Sequence, residues 1–552
     1  MSDAKNYVVI SQARPMNYRR DYVSLPANYG TDQYYRREDV RSIIELVEQN
    51  LSLLDEKTGF TEKLKNKKVV IKPNLVMVVH DAGFKDREYP ESTDPRVMDA
   101  IIIFLKKYTS DIVIVESSGR GMPTRASFRI SGLDRVARHH GLGILALEEQ
   151  PVDRYILPKA KVMKEIIVPR IFSEVAAGRA FYISVPKMKT NLYTGVTLGF
   201  KNAMGTITYN LRQRNHNYCI DQKLVDMLYL FRPHLTIIDG IVGGEGNCPA
   251  PVEPVDSQVI ISGTNSVETD RVATRMMGFD PREIDLMRIA DEMGFGDPQV
   301  EIIGKEKVTP FRPADPSLVG EWMAEKFPNV KVLVGFTINN APRVEGLKAD
   351  NQLMRKMELA CRGGCLATTR FAFDMVYYED RRRDFHLNLI LGDGVKEGGK
   401  TYYFDRHGKA YSTEEIARLP GKKLAVGSCT KPLAGMVDRH VDGCMTLPNS
   451  PHMALHWLSG TFCTVMSPKN KQLMSLLVGT LQTMMARIKL IRQGQRLDCP
   501  MHFDDSIVEP RPLSEEEKEK DYIPWPLPPL TGQEKRQLIK NEIRSVLATF
   551  KG

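Results

Sequence analysis

Lysine recurs in this chain at the ends of predicted strands. Lys72 directly follows the apolar run 69–71, and Lys187 and Lys189 follow an apolar segment that ends at Val185. Ligand sites of parallel α/β sheets lie beyond the carboxyl ends of the strands, so these cations predict a site for an anionic small molecule. Carboxylates and phosphates are the groups that lysine ammonium groups bind through charge-assisted hydrogen bonds. For any single lysine, a solvated strand end is the alternative interpretation.

Polar side chains in corresponding positions would orient such a ligand. Most of these side chains come directly after a predicted strand, and Ser262 follows one as well. Lys201 and Asn202 instead follow the glycine-containing segment 195–199. Amide and hydroxyl groups hold a bound anion through directed hydrogen bonds. The predicted substrate-binding residues are Lys72, Asn74, Glu116, Ser118, Thr190, Lys201, Asn202 and Glu245.

Acidic side chains form a complementary set. Asp239 follows the apolar run 235–238, Glu245 lies in a glycine-rich turn, and Asp270 lies near the start of a predicted helix. Carboxylates of this kind bind a divalent cation or act as bases, and a lysine with a lowered pKa acts as a base or nucleophile. The predicted catalytic residues are Lys187, Lys189, Asp239 and Asp270. The alternative is structural: Asp239 caps a turn, and Asp270 favours a helix N-terminus.

Five of the eight cysteines lie between residues 361 and 463. Cys361, Cys365, Cys429 and Cys444 occur in glycine-containing segments, and Cys429 follows a predicted strand. Thiolates are soft ligands, so these four cysteines predict a 4Fe-4S cluster or a zinc ion. Nearby substitutes are Cys463, His452 and His456. Two alternatives remain open: the thiols are ordinary core residues, or Cys429 or Cys444 is a nucleophile.

Length and composition limit the class of protein. A chain of 552 residues is too long to fold around one hydrophobic core. Its composition, 42% hydrophobic and 26% charged residues, is typical of a folded protein. A net charge of +9, from 77 basic and 68 acidic residues, is small for this size, so we expect no nucleic-acid partner. The first 20 residues lack the apolar core of a signal peptide, and the longest apolar stretch, 473–491, contains Arg487 and Lys489. We therefore expect a cytoplasmic protein without a membrane partner.

Alternating strand and helix patterns predict the fold. Apolar runs such as 69–71 and 112–115 are typical of buried strands, and Asp94 before Pro95 is typical of a helix start. This alternation predicts an α/β fold with a doubly wound, largely parallel sheet, followed by a second, smaller α/β domain and a C-terminal helix. The predicted domains are residues 1–318, a cysteine-containing domain at 319–510, and a charged, proline-rich strap with a closing helix at 511–552.

The order of several motifs resembles a known family. The motifs are Lys72-Pro73-Asn74, Thr93-Asp94-Pro95, Pro186-Lys187-Met188-Lys189-Thr190, the run 197–205 with Lys201-Asn202, Ile238-Asp239-Gly240, and Asp270 with Gly278-Phe279-Asp280. Over roughly residues 69–304 the chain is similar to the domain of unknown function family numbered 362. The resemblance implies that iron–sulfur proteins are among the relatives, and it implies no general reaction. The ferredoxin-bearing members carry a Cys-x-x-Cys-x-x-Cys run that this sequence lacks, so a cluster here needs other ligands.

These predictions combine into one hypothesis and one alternative. The hypothesis is an enzyme, an oxidoreductase or a metal-assisted lyase or transferase, that binds an anionic small molecule in a crevice of lysines and carboxylates. Its candidate cofactors are a 4Fe-4S cluster or zinc, and a divalent cation. Its candidate partners are an electron-donor protein and further copies of the chain. The alternative is a non-catalytic electron carrier, or a scaffold or binding protein with a structural zinc ion or no metal.

Overall fold

The chain folds into two large β-sheets, a small third sheet and the helices that surround them. A computed structural model describes residues 5–76, 90–119, 123–208, 219–248, 252–315, 317–336, 347–359, 361, 365–380, 384–441, 451–459, 471–497 and 511–551. Both large sheets combine parallel strands with helical crossovers. This arrangement confirms the predicted α/β class.

The first sheet contains the lysine-bearing strands. The strands before residue 310 are β1 Tyr7–Gln12, β2 Lys68–Pro73, β3 Ile112–Glu116, β4 Gly143–Ala146, β5 Val152–Ile156, β6 Glu165–Pro169, β7 Ala180–Val185, β8 Lys187–Asn191, β9 Gly195–Val196, β10 Leu235–Gly246, β11 Val252–Val255, β12 Val259–Gly263 and β13 Glu301–Ile303. The sheet has the order β13-β1-β12-β10-β7-β2-β3-β4. Five neighbouring strands, from β10 to β4, are parallel. The residues of β2, β3 and β7 are almost entirely buried, as expected for strands covered on both faces.

The direction of strand addition reverses between β2 and β7. The chain places β3 and β4 on one side of β2, and then β7 and β10 on the other. Such a reversal opens a crevice beyond the carboxyl ends of the two strands at which it occurs. Lys72 and Lys187 lie at these two strand ends.

One strand departs from the expected direction. β12 is antiparallel to β10, and its last residue, Gly263, pairs with Thr236 near the start of β10. Ser262 therefore lies toward the amino ends of the parallel strands, away from the crevice. Its assignment to the crevice was wrong, because the direction of a strand is decided by its crossover and not by its own residues.

The helices cover both faces of the sheets. Their bounds are α1 Asp32–Tyr35, α2 Glu38–Thr58, α3 Pro95–Leu105, α4 Thr124–Ser131, α5 Leu133–His140, α6 Arg170–Ala176, α7 Gly199–Asn202, α8 Ile220–Asp226, α9 Ser266–Met276, α10 Asp285–Glu292, α11 Val319–Lys326, α12 Asn351–Leu359, α13 Cys365–Asp380, α14 Thr413–Arg418, α15 Pro451–Ser459, α16 Lys471–Arg492, α17 Glu515–Lys518 and α18 Gly532–Lys551. The predicted start of α3 is confirmed, since the Asp94 side chain accepts a hydrogen bond from the backbone N of Arg96 at 2.9 Å. Among the described residues, no helix has the length and apolarity needed to cross a membrane.

The second sheet begins after residue 329. Its strands are β14 Val330–Val334, β15 Leu387–Leu391, β16 Val395–Glu397, β17 Lys400–Phe404, β18 Ala410–Ser412, β19 Lys422–Val426 and β20 Arg439–Val441. β14, β15, β19 and β20 are parallel neighbours, and β17 is antiparallel to β14. The parallel strands end at one edge of the sheet, at Val334, Leu391, Val426 and Val441.

The C-terminal segments return to the first sheet. α16 packs against α4 and α18, and β21, Ile523–Pro524, pairs with β5. The guanidinium group of Arg154 lies 3.6 Å from the ring centroid of Trp525, whose backbone N donates to the Arg154 carbonyl at 2.8 Å. The predicted strap thus forms part of a three-stranded sheet with β5 and β6. The division into domains at residues 318 and 510 remains a prediction.

Candidate functional site

Lys72 is the centre of a buried group of three predicted site residues. Its Nζ donates to Glu116 Oε2 at 2.9 Å, to Asn202 Oδ1 at 2.7 Å and to the carbonyl of Pro73 at 3.0 Å. Glu116 also accepts a hydrogen bond from the backbone N of Leu75 at 3.1 Å. Lys72 and Glu116 are each 1% exposed, so this ion pair is desolvated and is held in one geometry.

Gly205 covers this group from the turn after α7. A Cβ atom at this position would lie 2.4 Å from Glu116 Oε1 and 2.5 Å from Lys72 Nζ. Only glycine therefore allows the backbone to approach the ion pair so closely. The motif 197–205 ends at this glycine, but its role could not be read from the sequence.

Lys187 and Asp239 form a second buried pair. Nζ of Lys187 donates to Asp239 Oδ2 at 3.0 Å, and both side chains are fully buried. Asp239 also accepts hydrogen bonds from the backbone N atoms of Asp94 at 2.7 Å and Ile241 at 3.2 Å. Burial raises the pKa of Asp94, the adjacent Arg96 and Lys187 lower it, and Asp239 raises it further. Two carboxylates and two cations are thus joined at the start of α3.

Lys189 forms the third pair. Its Nζ donates to the carbonyl of Glu91 and lies 3.9 Å from Glu91 Oε2, and both side chains are buried. The thiol of Cys248 lies close by: burial raises the pKa of Cys248, and Lys189 opposes this increase. The Thr190 hydroxyl donates to the Gly246 carbonyl at 2.8 Å, which joins β8 to the end of β10.

Asp270 acts on the crevice through α7. Its two carboxylate oxygens accept hydrogen bonds from the backbone N atoms of Gly199 at 2.8 Å and Phe200 at 2.9 Å. Burial raises the pKa of Asp270 to about 7, and these two hydrogen bonds oppose the increase. The carboxylate therefore fixes the start of the short helix that carries Lys201 and Asn202.

Asn74 directly follows β2, one of the two strands at which the order reverses. Its backbone N donates to Thr93 Oγ1 at 2.8 Å, and the Thr93 hydroxyl in turn donates to the Val185 carbonyl at 2.8 Å. These bonds join the ends of β2 and β7. Asn74 Oδ1 is buried and has no hydrogen-bond partner among the described residues. An amide oxygen in this state is a suitable contact for a ligand.

The other predicted residues have diverse surroundings. Ser118 is fully buried, and its backbone N donates to Thr124 Oγ1 at 2.9 Å. Lys201 is half-buried and lies near Asp221. Burial raises the pKa of Asp221 to about 6, and the positive charge of Lys201 opposes this increase. Glu245 accepts a hydrogen bond from the backbone N of Arg312 at 2.8 Å, and its carboxylate lies 3.7 Å from the Arg312 guanidinium group.

The crevice is a set of compensated charges. Each of the three buried lysines has a carboxylate neighbour: Lys72 has Glu116, Lys187 has Asp239, and Lys189 has Glu91. Such pairs hold a proton donor next to a proton acceptor in a low-dielectric setting, which suits proton transfer. Sequence patterns did not indicate Glu91, Thr93 or Arg96 as site residues. Asp94 was recognised only as a helix cap, although the Thr93-Asp94-Pro95 motif marked its position.

Two of the predicted thiols, Cys365 and Cys429, lie close together near the carboxyl edge of the second sheet, and the Cys361 sulfur contacts the backbone of Cys365. A Cβ atom at Gly427 would lie 3.1 Å from Cys365 Sγ and 3.2 Å from Cys429 Sγ, so the two sulfurs are close neighbours. Cys361 Sγ accepts a hydrogen bond from the backbone N of Cys365 at 3.1 Å. Cys365 is the first residue of α13, and Cys429 follows β19.

The fourth predicted ligand, Cys444, lies outside the described residues. The described residues contain no group of three or more histidine, cysteine or acidic side chains arranged to hold a metal ion. The Val441 carbonyl accepts a hydrogen bond from the backbone N of Gly427 at 2.9 Å.

A polar chain connects the thiols to the crevice. Arg370, five residues after Cys365 in α13, donates to the Asp315 carboxylate. The backbone N of Asp315 donates to Asn247 Oδ1 at 2.7 Å, and Asn247 precedes Cys248. The helix that begins at the thiols is therefore fastened to the segment that follows β10.

Comparison with known proteins covers part of the chain. A thylakoid-associated protein of Synechocystis sp. is 25% identical over 126 residues, which are 22% of this chain and 39% of that protein. This chain thus matches less than two thirds of that relative's length. No solved structure gives a significant match. Residues 69–275 match the model of the family described as domain of unknown function (DUF362), which confirms for this segment the resemblance that its motifs predicted.

Proposed function

We propose that the protein is an enzyme that acts on an anionic small molecule with a 4Fe-4S cluster held by Cys361, Cys365, Cys429 and Cys444. The observation that carries the proposal is the approach of the Cys365 and Cys429 sulfurs to Gly427. These thiols are distant in sequence, and they meet where α/β sheets place their ligands. The reaction class, redox or metal-assisted, and the cytoplasmic location remain predictions from the sequence.

The chemistry of the thiol group fits a cluster. Thiolates are the usual ligands of iron–sulfur clusters, and the N-terminus of α13 favours their negative charge. Gly427 has a φ of 106° and no side chain, and the only described atoms within 4 Å of a Cβ built there are the two sulfurs. A zinc ion bound by four thiolates uses the same donors, and the metal analysis below separates the two.

A bound cluster would supply electron transfer or Lewis-acid binding of a substrate oxygen. The residues of the crevice would bind and orient the anion and move its proton. We assign orientation to Asn74, whose Oδ1 is buried without a partner in the described structure. Proton transfer is assigned to the Lys187 and Asp239 pair, whose atoms lie 3.0 Å apart. An electron-donor protein would complete a redox cycle.

The first experiment analyses the metal. Wild-type protein is purified without oxygen, and its absorption spectrum, iron, zinc and acid-labile sulfide are measured beside a Cys365→Ala, Cys429→Ala double variant. A Cys219→Ala variant is the control, because Cys219 is an exposed cysteine outside the thiol group. We expect wild type and control to be brown and to contain iron and sulfide, and the double variant to lose both.

Other outcomes contradict the cluster. Zinc without sulfide, lost in the double variant alone, would replace the cluster by a structural zinc site. A colourless wild-type protein without metal would show that the cysteines are ordinary core residues and not metal ligands.

The second experiment tests the crevice. The melting temperature of the protein is measured with a panel of carboxylates and phosphates, since a ligand that binds only the folded state stabilises it. We expect at least one anion to raise the melting temperature of wild type and to have a weaker effect on an Asn74→Ala variant. A cluster-containing protein that no anion stabilises would favour the non-catalytic electron carrier.

A further inference from the structure

α16 exposes an apolar stripe to solvent. Met474, Leu481 and Met485 are 63%, 41% and 62% exposed. They are separated by seven and four residues, so they lie on one side of the helix. Large apolar side chains exposed in a row indicate a surface that contacts another body.

The opposite side of α16 packs against α4 and the residues that follow β4, and it combines apolar with polar side chains. Leu476 on this side is buried in a hydrophobic core of the first sheet. The Thr483 hydroxyl donates to Glu149 Oε1 at 2.8 Å, and Arg487 donates to Glu542 at 2.8 Å and to the Glu148 carbonyl. A Cβ atom on Gly479 would lie 3.1 Å from Ala126 of α4. These specific contacts fix the rotation of α16, so its apolar side faces outward in the folded chain.

α18 continues this outer side. It runs antiparallel to α16, since Arg487 contacts Glu542 and the later residue Arg496 contacts the earlier Glu534 at 3.0 Å. Ile543 and Leu547 of α18 are 41% and 51% exposed. Each directly follows a residue that faces inward, so they border the contact between the helices.

The exposed charges of the pair are basic. α16 has no acidic residue, and the two of α18, Glu534 and Glu542, are paired with arginines. Among the side chains that the structure describes, the exposed cations are Lys489 and Arg492 of α16 and Arg536, Lys540 and Arg544 of α18. We name the five exposed apolar residues and these cations the α16–α18 face.

We infer that the α16–α18 face binds the surface of an anionic lipid membrane. The helices lie in the plane of the membrane, the apolar side chains enter the boundary of head groups and acyl chains, and the cations contact lipid phosphates. A second copy of the chain would bring five cations against five others, whereas an anionic surface complements them. Our expectation of no membrane partner rested on the lack of a spanning segment, and binding at the surface needs none.

The test is co-sedimentation of the full-length protein with vesicles. Vesicles of phosphatidylcholine with 30% phosphatidylglycerol are compared with pure phosphatidylcholine at about 0.1 M salt. We expect binding to the anionic vesicles only, with release as the salt approaches about 1 M, where charges are screened. A Leu481→Glu, Met485→Glu variant should bind at least about tenfold more weakly, because two apolar side chains no longer enter the lipid.

Two further variants separate charge from packing. Arg536→Glu, Lys540→Glu should also bind at least about tenfold more weakly, because each cation near an anionic surface contributes to binding. Val308→Glu is the matched control: Val308 is 55% exposed and follows β13, at the edge of the sheet opposite to β4, so vesicle binding should not change. All substituted side chains are exposed, and circular dichroism should show unchanged folding.

Three results would overturn the proposal. The first is equal sedimentation with neutral and anionic vesicles. The second is unchanged binding of both face variants. The third is a dimer in solution that fails to bind vesicles and that Leu481→Glu, Met485→Glu dissociates, which would make the face an interface between copies.

Discussion

The buried pair of Lys187 and Asp239 predicts a strong energetic coupling. Lys187→Met leaves a desolvated carboxylate with only the backbone donors of Asp94 and Ile241, and Asp239→Asn leaves a desolvated ammonium group. Breaking a fully buried ion pair typically costs about 3–5 kcal/mol of unfolding free energy, since the remaining charge is uncompensated. We expect each single variant to lose about this amount. The double variant should lose far less than the sum, because neither charge remains buried.

The measurement is urea unfolding of wild type, both single variants and the double variant, followed by tryptophan fluorescence. The coupling energy is the double-variant change minus the two single changes, and we expect a magnitude of at least about 2 kcal/mol. Lys5→Met is the control, because its pair with Glu301 is exposed to water that screens the charges, so this substitution should leave the unfolding free energy nearly unchanged. Single changes below about 1 kcal/mol that add within about 0.5 kcal/mol would refute a desolvated pair.

Three further predictions concern other contacts of the structure. Burial raises the pKa of Asp270 from 3.8 to about 7, so the folded state binds a proton that the unfolded state releases, and stability falls as the pH rises from about 4 to about 7. Asp270→Asn should flatten this fall in urea midpoints measured between pH 4 and pH 8, and an unchanged pH profile would contradict the assignment. Gly205→Ala should lower the melting temperature, because its Cβ would collide with the buried ion pair of Lys72 and Glu116. Gly435→Ala should be neutral in the same assay, because no atom of the described residues lies within 4 Å of the new Cβ. Trp525→Ala removes the contact with Arg154 and should speed proteolysis of the strap, and an unchanged cleavage rate would show that β21 pairing alone holds it.

Local sequence determined the strands and their ends. The apolar runs at 69–71 and 112–115 became fully buried parallel strands, and Asp94 with Pro95 began α3. These features depend on neighbouring residues: a buried strand must be apolar on both faces, and an N-cap needs a short polar side chain. The family resemblance rested on the same local motifs.

Pairing between distant residues could not be predicted. The order of the strands decides which carboxylate lies beside each lysine. The pairs of Lys189 with Glu91 and of Lys72 with Glu116 are therefore visible only in the folded structure. The antiparallel direction of β12 has the same origin, since a crossover decides it. α16 shows a further reason. The apolar stretch 473–491 does not reveal which side of the helix is buried, and the contacts of Leu476, Thr483 and Arg487 with distant residues decide it.

The connection from Arg370 through Asp315 to Asn247 has a thermodynamic consequence. α13 begins at Cys365 and is bound by this connection to the segment that follows β10, so the two candidate sites share one mechanical element. If an anion in the crevice changes the affinity of the thiols for a metal, the metal must change the affinity of the crevice for the anion by the same factor. Arg370→Met breaks the ion pair with Asp315 and changes no residue that is proposed to bind the metal or the anion. In this variant, the affinity for the anion should no longer depend on the metal, and the affinity for the metal should no longer depend on the anion.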